Sequence, residues 1–91
     1  MPADAAVMLF LVTKVDLTTS RIAVGPSYIA ESLHMPIGNV HSSLKRLREN
    51  FVVGKGRKDG LPYFMLNPYY FHTGSTELLP KRAKAFQKLF D

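Results

Sequence analysis

The chain reads as an α+β domain, mostly helical, in which a β-hairpin stands between a charged third helix and a last helix near the C-terminus. Three features predict this. Residues 36–50 place Val40, Leu44 and Leu47 on one helical face and polar side chains on the other. Residues 51–66 hold two apolar runs around Asp59-Gly60, the pairing of a hairpin with its turn. Residues 26–34 form a further short amphipathic segment, separated from the charged helix by a very short connection.

Ninety-one residues, 46% of them hydrophobic, build one small domain with a single core, so residues 1–91 are read as one unit. With no cysteine, neither disulfides nor thiolate metal sites are available, which suits a cytoplasmic protein. The apolar run from Ala5 to Val12 follows Asp4 instead of a basic stretch and is far shorter than the roughly 20 residues of a membrane span. It is read as a core helix, with a buried strand over Val7 to Val12 as the alternative. Being apolar nearly all round, such a helix must be covered on more than one side, by its own core and by a second copy of the chain.

Asp16 to Ser20 has turn chemistry, and Arg21 to Val24 alternates like a short strand that stops at Gly25-Pro26. Pro26 opens the second helix, whose stripe is Ile29, Ala30 and Leu33. Pro36 suits the first position of the third helix, where its missing N–H has no intrahelical partner, and Phe51 completes that helix's stripe as the next strand begins. Phe51 to Gly54 and Leu61 to Leu66 are the hairpin strands, joined by a loop from Lys55 to Gly60 whose cations supply charge, while the glycines here (Gly54, Gly56 and Gly60) let the backbone approach a phosphate or a groove wall. In the aromatic stretch Asn67 to Gly74, Tyr70 and Phe71 are expected to cover the open side of the hairpin. Leu78 to Phe90 is an amphipathic terminal helix whose two phenylalanines are expected to dock on the first helix, within the chain or across a dimer.

The charge is localised. The net charge is +5, and residues 41–58 alone sum to +5, against −1 for residues 1–40 and +1 for residues 59–91. Asn39, Ser42, Lys45, Arg46 and Glu49 project from the third helix opposite its stripe. Asn matches adenine edges in a major groove, Arg and Lys match guanine or phosphate, and Ser and His serve either. Concentrated positive charge favours a polyanion, because phosphate neutralisation supplies most of the sequence-independent affinity for DNA. The bland alternatives are a solvated surface helix and a hairpin tip guarded by lysines.

Helix, short strand, helix, helix, strand, charged turn, strand and helix together make a winged helix-turn-helix with a β-hairpin wing and N- and C-terminal helices. The stretch IAESLHMPIGNVHSSLKRLRENFVV, residues 29–53, resembles winged helix-turn-helix proteins in its Ile-Ala-x-x-Leu and Val-x-x-x-Leu-x-x-Leu spacing. More narrowly, YFMLNPYYFHTGS, residues 63–75, resembles plasmid and phage replication or maintenance proteins of the RepL type. That resemblance implies duplex DNA binding through Asn39, His41, Ser42, Lys45 and Arg46 of the third helix and through Lys55, Arg57 and Lys58 of the wing. The chain departs from the pattern at Gly38, which weakens a helix by about 1 kcal/mol relative to Ala and has its use in close approach to a phosphate.

Catalytic chemistry is not expected. His41, Ser42 and Ser43 are neighbours on a helix and point in different directions, with no acid to orient the imidazole. Tyr69 and Tyr70 near His72 lack the His-x-His metal motif of DNA-nicking enzymes, and the three histidines show no ligand spacing, so no metal or cofactor is expected. The sequence is thus read as a non-enzymatic, sequence-specific DNA-binding protein. It is expected to be a homodimer through its terminal helices, serving as a transcriptional regulator or as a replication or partition factor of a plasmid or phage. The rival class is a protein interaction module built on the same fold.

Overall fold

A computed structural model describes residues 2–16, 19–70 and 78–90. Among them are four helices, α1 (Pro2–Thr13), α2 (Pro26–Leu33), α3 (Ile37–Glu49) and α4 (Leu79–Lys88), and three strands, β1 (Arg21–Ile22), β2 (Val53–Lys58) and β3 (Leu61–Leu66). The strands form one antiparallel sheet in the order β1-β3-β2. The architecture is α+β, in the element order expected from the sequence.

Two helix ends explain how the chain turns so sharply. His34 closes α2 in the left-handed conformation (φ 52°), and the following Met35 N–H donates back to Ala30 O at 3.0 Å. The left-handed residue reverses the chain within two positions, and Pro36, just before α3, has no N–H to leave unsatisfied. At the end of α3 the same device recurs with Phe51 (φ 57°), and Val52 N–H donates to Leu47 O at 2.9 Å. A bulky residue in that conformation costs about 1–2 kcal/mol, so something must hold it. Asn67 does so. Its Nδ2 donates to Phe51 O at 2.8 Å, its backbone N–H donates to Val52 O at 2.8 Å, and its Oδ1 accepts from Tyr69 N at 3.0 Å. The Asn-Pro pair after β3 is therefore a staple joining the end of the hairpin to the end of α3.

The sheet has two faces, and strand alternation divides them. On one, Ile22, Val53, Phe64 and Leu66 join Val7 and Leu11 of α1, Ile29 of α2, and Val40, Leu44 and Leu47 of α3 in the main core. Met65, paired with Gly54, faces the other way, where α4 brings Phe86 up against Gly54. Gly54 and Gly56 are the reason α4 can lie so close. A Cβ on Gly54 would come within 2.8 Å of Leu89 Cδ1, and one on Gly56 within 2.6 Å of the Tyr63 ring and 2.8 Å of Leu89 Cδ2.

Five expectations are corrected here. The cation-rich segment from Lys55 to Lys58 is strand, not loop, and only Asp59 (φ 53°) and Gly60 (φ 80°) turn, because two residues of positive φ match the twist of a tight hairpin. Gly54 and Gly56 serve helix packing instead of phosphate approach. Phe51 does not complete the α3 stripe: its left-handed backbone throws the ring outward, 56% exposed, against Phe90 at 4.9 Å. Phe86 of α4 and Phe90 just beyond it pack with Gly54 and Phe51 and with each other (Phe86–Phe90, 5.2 Å), on the hairpin and not on α1 of the same chain. Tyr70 is exposed instead of covering the hairpin, since the turn closed by Tyr70 N–H on Asn67 O carries it away. Phe71 and His72 lie outside the described residues.

Candidate nucleic-acid interface

The exposed edge of α3 and the strand β2 meet at the C-terminal end of the helix, because Val52 and Asn67 anchor the hairpin there. Between them runs a groove of about 390 Å³ lined by Lys45, Arg48, Glu49 and Lys55, with Leu89 and Phe90 of the last turn and tail as its apolar wall. Lys45 and Glu49 are 3.9 Å apart, both well exposed, so water competes with their pairing. Arg48 is more constrained. Its Nε is buried and has no hydrogen-bond partner among the described residues. A buried N–H without an acceptor is costly, so rotation of the guanidinium outward to an anionic oxygen in the groove would relieve that cost.

The other residues read from the sequence divide by position on the helix, at about 100° per residue. Val40, Ser43, Leu44 and Leu47 form the buried face. Gly38, Ser42 and Glu49 lie farthest from it, His41, Lys45 and Arg48 lie toward β2, and Asn39 and Arg46 lie on the α1 flank. Gly38, Asn39, His41 and Ser42 are all exposed, and a Cβ on Gly38 would meet nothing within 4 Å. No packing demand among the described residues accounts for that glycine.

Arg46 requires a correction. It is not an outward-reading side chain but a clamp between helices: Nε and Nη2 donate to the two carboxylate oxygens of Asp4 at 2.9 and 2.8 Å, and Nη2 lies 3.5 Å from Ser43 Oγ. The physical reason is the crossing of α1 over α3, which sets a carboxylate beside the guanidinium fork, a geometry that favours bidentate bonding. Arg48, three residues on from Lys45 and about 160° around the helix from Arg46, takes the place in the groove. Sequence reasoning passed over Arg48 because nothing in the α3 pattern tells which flank the hairpin will occupy.

The Asp4 carboxyl is held down at about 2, below its ordinary 3.8, chiefly by the hydrogen bonds from Arg46, then by Ser43 and the Arg46 charge, with burial working the other way. A carboxyl whose pKa is lower in the folded state stabilises the fold above its unfolded pKa, and that contribution disappears as pH falls from about 4 to 2. Asp4→Asn is therefore expected to flatten the loss of stability across that window. Urea titrations at pH 5 and pH 2.5 should differ by about 1 kcal/mol less in the variant; the figure is discounted from the full shift because Arg46 is 40% exposed. An identical acid response in both proteins would mean that the clamp adds nothing to stability.

The three wing cations separate as well. Lys55 and Arg57 share a sheet face with Phe64 and Pro62, whereas Lys58 lies on the opposite one. Arg57 Nη1 donates to Gly60 O at 3.0 Å, which steadies the hairpin tip while leaving the side chain exposed. Among the described residues no group of His, Asp and Glu could hold a metal ion, and no helix is long and apolar enough to cross a membrane.

No family model matches the chain, and neither does any curated protein or solved structure. The functional reading therefore rests on geometry and charge.

Proposed function

We propose that the protein binds double-stranded DNA sequence-specifically as a homodimer, with a winged helix-turn-helix in each protomer, and that it regulates transcription or maintains a plasmid or phage by replication or partition. One observation carries the reading: the polar edge of α3 and Lys55 of β2 open into a common groove, with Lys45, Arg48 and Lys55 converging there. Such convergence fits two neighbouring strands of phosphate, because three cations against the single carboxylate of Glu49 leave an excess of positive charge that a polyanion neutralises.

In this reading α3 enters a major groove with Gly38, Asn39, His41 and Ser42 toward base edges. Lys45, Arg48, Lys55 and Arg57 meet the flanking backbone. Arg46 acts indirectly, fixing the angle of α3 through Asp4. The dimer half of the proposal draws on α1, where Leu9 stays 60% exposed on the side away from the core.

Selection from a random duplex library followed by footprinting tests the proposal. The expected result is an enriched two-fold related site with half-site centres about 10 bp apart, or a multiple of that. Binding without enrichment would reduce the protein to a nonspecific polycation, and retention of a protein partner from nuclease-treated extract, with no duplex bound, would favour an interaction module.

A further inference from the structure

The face of the sheet turned away from α3 carries a second concentration of positive charge. Arg21 of β1, Lys58 of β2 and Lys81 of α4 line a cleft of about 340 Å³, with Arg82 at the same wall. Its floor is apolar, formed by Met65 and Leu78. Register explains the grouping: Arg21 stands opposite Met65, and Lys58, opposite Leu61, shares that face. Arg21 lies over the Tyr63 ring, Cζ 4.5 Å from its centroid, an arrangement that stacks the guanidinium and holds its donors in one plane. Lys81 and Arg82 sit in the first turn of α4, where the helix dipole disfavours cations. Among the described residues, the carboxylates of Asp16 and Asp59 lie in the adjoining recess toward the hairpin tip and not in the cleft lining.

We propose that this cleft binds a small phosphorylated ligand with a flat, largely apolar body, of mononucleotide type. The size lies at the lower end of small-molecule sites. A phosphate monoester carries −1.5 to −2 charges near neutral pH and three acceptor oxygens, which matches a planar guanidinium plus two lysines. The flat body lies on Met65 and Leu78. A long polyanion fits less well, since the cleft is bounded by α4 on one side and by the sheet on the other. The site lies across the sheet from the α3 groove and stands independently of DNA binding.

The test is a titration with adenosine 5′-monophosphate at constant ionic strength, followed by backbone amide chemical shifts. Shifts are expected at Arg21, Lys58, Tyr63 and Lys81, with inorganic phosphate and adenosine each binding at least tenfold more weakly. Lys81→Ala and Arg21→Ala, each checked for a native spectrum, should weaken the nucleotide at least tenfold. A variant lacking Lys45, Arg48 and Lys55 should bind it unchanged, which separates this site from the α3 groove. Shifts spread over both cationic surfaces, phosphate binding as tightly as the nucleotide, or affinity unchanged in both cleft variants would overturn the proposal. So would duplex DNA shifting the cleft residues while the nucleotide does not. Should Arg21→Ala fail to fold, Lys81→Ala decides alone, because Lys81 is exposed and its loss leaves the core intact.

Discussion

Replacing Lys45, Arg48 and Lys55 together with alanine is expected to lower duplex affinity on the order of 10²-fold near physiological salt. Each phosphate neutralised contributes about 0.9 to the slope of log affinity against log salt, so three lost contacts flatten that slope by about 2.7. At about 0.15 M salt the missing counterion release amounts to roughly two decades. Fluorescence anisotropy across a salt series reads both quantities from one data set. The single substitutions should divide unequally. Lys45 and Lys55 are exposed and lose a charge only. Arg48 also brings a buried, unpartnered Nε, so Arg48→Ala is expected to reduce affinity while leaving the fold as stable as before or more so. An unchanged slope in the triple variant would remove the groove from any account of DNA binding.

A larger effect on stability is expected from Leu11→Ala. Leu11 is completely buried in the main core with Val7, Ile22 and Ile29. Truncating a buried leucine costs about 2–5 kcal/mol, the lost transfer energy plus the cavity. A domain this small holds about 5–15 kcal/mol in all, toward the lower end, so the melting temperature should fall by roughly 10–40 °C. Leu9→Ala, two residues away on the same helix and 60% exposed, should change the protomer's stability by no more than about 0.5 kcal/mol. Calorimetry on both variants, at a concentration where the protein is monomeric, checks the contrast. Equal losses would mean that α1 sits on the core by a different face.

Much of the candidate site was legible before any coordinates. The buried face of α3 through Val40, Leu44 and Leu47 follows from helical spacing, as does the exposure of Asn39, Ser42 and Lys45. Asp59-Gly60 marked the hairpin turn because two consecutive positive φ values demand those residue types. Ser43 was less accessible to sequence reasoning. A serine beside the apolar stripe looks like a surface residue until Asp4 and Arg46 are found next to it.

Charge density, helix spacing and turn chemistry are local properties, legible along the chain: where the helices and the hairpin lie, which side of α3 is greasy, and that the positive charge gathers in residues 41–58. Tertiary structure alone decided which cations are available. The crossing of α1 over α3 ties Arg46 to Asp4, the anchoring of β2 at Phe51 and Asn67 turns Arg48 into the groove, and strand alternation sends Lys58 to the opposite face from Lys55. Each depends on partners distant in the chain. A side chain's flank is settled by what packs beside it, and no local spacing records that.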